Sequence, residues 1–341
     1  MKRLIALAAG VCALGLSNAA NAATTLRIAS YLPEGSVTVS RILKPFVKNV
    51  EEASKGEIKF QTFWGGSLGR DPEKQYKLMT DGIADIVYMS AFTASGQFPD
   101  TTLTQLPGIV KDSHTGSIAL WSMYKDGMLR GFDKMKLIGT FLTPPSYLHM
   151  AEKFSSLEDL KGKKIIAPGP EVAEFVRQIG ATPVYSTMPD APLALSSGLA
   201  DGIIIDWSGF ATFKLQNLAK HHYEIPLGAT QLIVAMNQKS WDRLSKAQQK
   251  IISRFAGIHM VRAGGDAFDS ASAERRAQTL KQEGNTLLDA TDEKIAQDLR
   301  RYGQPVYDAW VKATENGAKK LQAMRDKLAA QQDDAGKTGR Q

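Results

Sequence analysis

The sequence predicts an α/β protein of two lobes, and three stretches carry that prediction. Leu157 to Val184, followed at once by Leu193 to Gly202, reads strand, turn, helix, Gly, short strand, helix, Gly, strand. That is the grammar of an open α/β domain whose loops hold a ligand. Leu26 to Met89 reads β-α-β-α-β within about 65 residues, which calls for a parallel sheet with right-handed crossovers. Gln231 to Met236 (QLIVAM) is a strong apolar strand, placed to return the chain from the second lobe.

Taken in order, Leu26 to Tyr31 is the first strand, with a turn at Pro33-Glu34-Gly35. The helix after it repeats Ile42, Phe46 and Val50 at four-residue spacing, with Leu43 and Val47 beside them, and ends near Gly56. Ile58 to Phe63 alternates as a strand. Asp71-Pro72 opens the next helix, with the acid at N-cap and proline at the first helical position, and Gly82 stops it. Ala84 to Met89 is the third strand. Residues 112–132 form another helix, Met135 to Thr143 a strand leaving the first lobe, and Pro144-Pro145 the crossing point. In the second lobe Val172, Phe175, Val176 and Ile179 make one apolar helix face. Ser245 and Gln248 form a capping box that opens a helical region over 245–284. Residues 292–329 are again helical, and no internal repeat of 20 to 50 residues is present. The expected division is a signal segment at 1–22, lobe I at 23–143, lobe II at 144–235, bracing C-terminal helices at 236–330 and a polar, disordered tail at 331–341.

The N-terminus has the form of an export signal. Lys2 and Arg3 precede an apolar run from Leu4 to Leu16, and Ala20-Asn21-Ala22 is a cleavage site, so a periplasmic mature chain starting at Ala23 is expected. Cys12 is the only cysteine, and Ala9-Gly10-Val11 before it is a poor lipoprotein box, so it leaves with the signal. That removes disulfides, thiolate chemistry and cysteine metal sites. Loss of Lys2 and Arg3 takes the formal charge from +7 to +5, because residues 1–22 hold no acid. Basic residues are interleaved with acids, as at Glu51, Glu52, Lys55 and Glu57, and no dense basic block with aromatics stands out, which argues against nucleic acid as a partner.

The motifs that invite an enzymatic reading are weak. Gly65-Gly66-Ser67-Leu68-Gly69 matches the nucleophile elbow G-x-S-x-G, which makes a secreted serine hydrolase using Ser67 the rival class. The elbow needs its helix to begin at the serine, whereas the helix start lies four residues later at Asp71. His221 and His222 are adjacent and read as a surface helix end, unable to share a metal, while His114, His149 and His259 are scattered. No Walker loop or dinucleotide motif occurs, so no cofactor and no metal are expected.

Three segments resemble the solute-binding proteins of tripartite ATP-independent periplasmic (TRAP) transporters, the DctP-like family. FQTFWGGSLGRDPEKQYKLMTDGIADIVYM (60–89) is similar to the family's strand, Gly-x-Leu-Gly loop, helix and Gly-x-x-Asp strand. SSLEDLKGKKIIAPG (155–169) is similar to its Leu-x-Asp-Leu-Lys-Gly-x-Lys segment, and GATPVYSTMPDAPLALSSGLADGIIIDW (180–207) to its Gly-Ala-x-Pro and Leu-x-x-Gly-x-x-Asp-Gly run. The resemblance implies a two-lobe periplasmic-binding-protein fold with mixed and parallel sheets, a long bracing helix and an interlobe ligand cleft. It also implies a monomer that delivers a small-molecule solute to TRAP membrane permease subunits and catalyses nothing.

The family places an arginine for the ligand carboxylate where this chain has Ile166, and a second polar contact where it has Ile205. Asp206 follows where relatives often carry proline. The resemblance therefore implies a cleft that has lost a cation and gained an anion. Its expected lining residues are Tyr31, Trp64, Ser90, Phe92, Tyr147, His149, Ile166, Met188, Asp206 and Trp207, with Trp64 and Trp207 sandwiching a flat ligand. The expected solute is a flat, largely apolar monocarboxylate, held by the helix start at Gly169-Pro170 in place of arginine. A neutral or cationic ring is the alternative, and C4-dicarboxylates are disfavoured.

Overall fold

A computed structural model describes residues 23–94 and 96–338, with side chains as far as Gln331. The expected signal segment, its cleavage site and Cys12 lie outside the described residues. In chain order the strands are β1 (Thr24–Ala29), β2 (Ile58–Phe63), β3 (Ile86–Ser90), β4 (Met135–Leu142), β5 (Tyr147–Met150), β6 (Lys164–Ile166), β7 (Thr182–Val184), β8 (Gly202–Ile205), β9 (His221–Tyr223), β10 (Gln231–Asn237) and β11 (Thr286–Leu287).

They form two mixed sheets. The first has the order β2-β1-β3-β10-β4, with β1 parallel to β2 and β3, and β10 antiparallel between β3 and β4. The second has the order β11-β9-β5-β8-β6-β7, with β6 parallel to β7 and β8, and β5 antiparallel to β8 and β9. Strand β10 pairs Leu232 with both Ser90 and Phe141. The expected lobe boundary at 235 therefore falls inside a strand of the first sheet. Both of its faces are packed, Ile233 and Ala235 in one apolar cluster and Leu232, Val234 and Met236 in another, which is why LIVAM reads as an unbroken apolar run.

Local chemistry explains most element ends. Asp71 caps as expected, accepting from Glu73 N at 2.9 Å, but the proline turn stays 3₁₀ over Pro72–Lys74 before the helix Gln75–Thr80 begins. The helix expected over 112–132 runs from Ser113 to Lys125 and ends at the Asp126-Gly127 turn. The Ser245–Gln248 capping box forms, yet the helical region beyond it divides into Lys246–Phe255 and Ile258–Leu280, because Gly257 sits at φ +62°. The last helix, Gly317–Thr338, takes in residues 331–338 of the tail expected to be disordered; Ala329, Ala330 and Gln331 are good helix formers. His221 and His222 lie on β9 and not on a helix, so alternation sends them to opposite faces and buries His222 completely.

The 23-residue helix Ile258–Leu280 packs on β4, on helix Ser113–Lys125 and on the short helix Trp207–Thr212 of the second lobe, and so braces both sheets. Two crossing segments run side by side between the sheets. Thr143 N donates to Thr230 O at 2.9 Å, Ser146 N to Gly228 O at 2.7 Å, and Leu227 N to Ser146 O at 2.9 Å. A pair of hydrogen-bonded irregular segments at a lobe junction is a natural hinge.

Candidate functional site

Strand ends of both sheets converge on one cavity of about 80 Å³. The first sheet supplies Tyr31 and Leu32 beyond β1, Tyr88, Ser90 and Phe92 from the end of β3, and Thr230 and Leu232 from the start of β10. The second supplies Ile205 and Asp206 from the end of β8, then Ser208, Gly209, Thr212 and Phe213 from the helix that follows. Ser36 to Thr38, the crossover residues Thr143 and Ser146, Pro168, Met188 and Phe268 of the long helix close the wall. Open α/β sheets bind ligands at such strand ends. A wider cleft of about 1020 Å³ leads from Tyr31, Leu32, Thr212 and Phe213 to the surface, past Arg70, Asp71, Glu73, Asp190 and Lys214. Across that mouth the Tyr185 hydroxyl donates to Glu73.

The wall is aromatic and aliphatic, with hydroxyls spaced around it. Among its residues Asp206 alone is charged, and there is no lysine or arginine. Asp206 is placed by a local task, because it caps the helix Trp207–Thr212. Its Oδ1 accepts from Ser208 N at 2.9 Å, from Gly209 N at 3.1 Å and from the Ser208 hydroxyl. Burial to 4 % exposure pushes the carboxyl up from the ordinary range, while those three donors pull it down. The Tyr31 and Tyr88 rings stack obliquely at 5.6 Å. Burial pushes the Tyr31 hydroxyl up to about 12 and that of Tyr88 well above its ordinary value, so both stay neutral hydrogen-bonding groups. The Ser90 hydroxyl, buried in the wall, has no hydrogen-bond partner within the described residues. A polar group left so costs about 1–3 kcal/mol until water or a solute supplies the bond.

Of the ten expected residues, Tyr31, Ser90, Phe92, Met188 and Asp206 line the cavity. The other five do not, each for a definable reason. Trp207 turns into the second lobe, where its indole N–H donates to Glu224 Oε1 at 2.8 Å and its ring meets His149 and His222 edge-on. Trp64, at the end of edge strand β2, lines a separate surface depression with Val47, Lys48 and Glu51. The two indoles therefore do not form a sandwich. Ile166 is fully buried in an apolar cluster with Ile203, Ile205 and Phe210, behind the wall. Tyr147 packs on the same cluster, its hydroxyl pushed up to about 12 by burial and by the nearby carboxylates of Glu224 and Asp206. His149 is fully buried and bonded to His222 and Ile205 O. The helix start at Gly169-Pro170 is filled by Gln105, since a Cβ on Gly169 would stand 2.1 Å from Gln105 Oε1; only Pro168 of that turn reaches the wall.

Several wall residues escaped the sequence reading. Tyr88 was findable: it lies two residues before Ser90 on β3, and a strand puts such residues on one face. Thr38, Phe213 and Phe268 carry no sequence signal, since their place depends on how the two lobes meet. Ser67 lies in an exposed turn, and the helical turn begins only at Pro72, so the elbow geometry does not form.

Residues 28–314 match the sequence profile of the family described as bacterial extracellular solute-binding protein, family 7, DctP. The sialic acid-binding periplasmic protein SiaP of Vibrio cholerae is 25% identical over 316 residues, covering 90% of this chain and 94% of the relative. The TRAP solute-binding protein of Rhodoferax ferrireducens T118, solved with copurified benzoate, superposes with a TM-score of 0.86 at 25% identity, covering 92% of this chain and 99% of that one. A marine metagenome TRAP solute-binding protein specific for aromatic acid ligands, solved with 3-hydroxybenzoate, gives 0.85 at 26% identity over 90% of this chain and 98% of that one. The family is one of transport receptors and not of enzymes. Among the described residues no helix is long and apolar enough to cross a membrane. With the two-lobe architecture and the interlobe cavity in place, the profile match over most of the chain makes this protein a member of the DctP family of TRAP transporter solute-binding proteins.

Proposed function

We propose that this chain is the exported, monomeric periplasmic receptor of a TRAP transporter, capturing a flat aromatic monocarboxylate and delivering it to the membrane permease subunits. The observation that carries the reading is the wall itself. It offers five aromatic rings (Tyr31, Tyr88, Phe92, Phe213 and Phe268), apolar Leu32, Met188, Ile205 and Leu232, and neutral hydroxyls. Aromatic faces favour a planar apolar solute. The two relatives solved with benzoate and 3-hydroxybenzoate support the same class.

A C4-dicarboxylate fits poorly. It would bring two negative charges to a wall that holds Asp206 and no cation. An unpaired buried charge costs several kcal/mol, a large part of the roughly 8 kcal/mol of micromolar binding. Thermal-shift titration of the mature protein tests this. Benzoate or 3-hydroxybenzoate should give saturable stabilisation while succinate and malate give none. Saturable stabilisation by the dicarboxylates with none by the aromatic acids would overturn the reading.

A further inference from the structure

We propose that the solute acid is captured together with a proton, held between its carboxylate and Asp206 Oδ2, so that hydrogen-bonded carboxyl sharing replaces an arginine salt bridge in this pocket. The inference rests on the aromatic-acid reading above and deepens it. Four observations carry it. Asp206 is 4 % exposed and is the one charged residue of the wall, in which no lysine or arginine occurs. All three donors that hold it bond to Oδ1, and Oδ2 accepts no hydrogen bond within the described residues. Gly209 keeps Oδ2 uncovered, because a Cβ there would stand 3.0 Å from it. The site that resemblance would assign to a cation is Ile166, sealed in an apolar cluster.

Two ionised carboxyl groups confined together without a cation repel one another, and one of them takes up a proton. The balance is simple. One proton comes from solvent, Asp206 Oδ2–H donates to the carboxylate oxygen of the solute, and the pair carries one negative charge. The same charge count holds if the proton resides on the solute and Oδ2 accepts. Burial already pushes the Asp206 carboxyl upward.

The surrounding ionisable groups do not supply the missing cation. Tyr31 and Tyr88 of the first sheet and Tyr147 of β5 stay neutral. His149 and His222 behind Ile205 are held neutral, burial pushing both well down. On the long helix, Arg276 is committed to Glu224 through Nε and Nη2, and Asp269 accepts from Ser113 N and His114 N.

The test is calorimetric titration of the mature protein with benzoate at pH 7 in buffers of differing ionisation enthalpy, repeated across pH 6 to 9. The expected result is uptake of close to one proton per benzoate, with affinity falling about tenfold per pH unit at the alkaline end. Asp206→Asn, which keeps a good helix N-cap, should bind benzoate without proton uptake and with a flat pH profile. Benzamide, which is uncharged, should bind the unmodified protein with a flat profile too. Benzoate binding with no proton uptake and no pH dependence would overturn the proposal and leave the aromatic-acid reading standing. Absence of benzoate and 3-hydroxybenzoate binding at every pH would overturn both.

Discussion

His149 Nδ1 and His222 Nδ1 lie 2.8 Å apart, fully buried behind the cavity wall. The partners fix the protons. His149 Nε2 is 3.0 Å from Ile205 O, which can only accept, so Nε2 carries the hydrogen and Nδ1 accepts from His222 Nδ1–H. His222 Nε2 lies 3.1 Å from Asn285 Oδ1, and the Asn285 amide nitrogen donates to Gln282 O. The chain Ile205, His149, His222, Asn285 thus ties the wall strand β8 through β5 and β9 to the segment that leaves the bracing helix.

That neutral pair makes the fold acid-sensitive. Burial drives His149 well below its ordinary 6.5 and His222 to about 4. Below pH 6.5 the unfolded chain gains protons that the native state refuses, so stability is full above 6.5 and falls as pH drops toward 4. For His222 alone the loss reaches about 3 kcal/mol. Urea denaturation at pH 7.5, 6.0 and 4.5 should show it. His222→Gln, though less stable at pH 7.5, should show a shallower fall; equal slopes in the two proteins would refute the assignment.

A second prediction concerns the hinge. Gly228 sits at φ +90°, and a Cβ there would stand 2.4 Å from Gln105 O. Gly228→Ala should therefore lose about 2–4 kcal/mol, from the left-handed backbone and the clash with an immovable carbonyl together. Gly228→Asn relieves only the first of these and should be destabilised as well. The urea midpoint measures it, and an unchanged midpoint for the alanine variant would show that the crossover is free to shift.

Much of the fold was legible because it follows local rules. The alternation and turns of Leu26 to Met89, the Asp71 cap and the Ser245–Gln248 box are written in adjacent residues, and the structure shows each of them. The errors arise where tertiary contact decides. His221-His222 reads as a helix end in isolation, yet pairing with Leu148 to Met150 makes it a strand. Trp64 and Trp207 stand on cleft-like loops by sequence, and only the turn of the helix after Asp206 and the edge position of β2 take them away from the cavity. Phe268 lies in the interior of a 23-residue helix whose apolar residues show no single face, so nothing in its spacing marks a wall residue.

Ile166 supplies a third prediction, and it revises a sequence-based expectation. With arginine at this position the sequence alone suggests a shift of preference toward acids. The structure places the side chain among Ile203, Ile205 and Phe210, with no exposed surface. Ile166→Arg should then bury a cation in an apolar cluster and lose about 3 kcal/mol or more. Ile166→Leu keeps volume and character and should lose less than about 1.5 kcal/mol. Equilibrium unfolding of both variants decides it: an arginine variant as stable as the leucine one would place this side chain in the cavity after all.

The last prediction separates Tyr31 and Trp64, two of the aromatic side chains expected from the sequence in the lining. Tyr31 faces the cavity and touches Tyr88 with ring centres at 5.6 Å, whereas Trp64 lines a surface depression beside Lys48 and Glu51. Removing the Tyr31 ring takes an aromatic contact and its buried area from the wall, worth about 1–3 kcal/mol, or roughly 10- to 100-fold in affinity. Tyr31→Ala should therefore weaken benzoate by about that factor, while Tyr31→Phe, which keeps the ring, loses much less. Trp64→Ala should leave affinity within about twofold, because its ring is no part of the wall, though it can lower stability through lost packing on the first helix. Titration calorimetry on the three variants at one pH reads both effects. Loss of affinity in Trp64→Ala with none in Tyr31→Ala would move the site out to the surface depression and undo the geometry argued for the cavity.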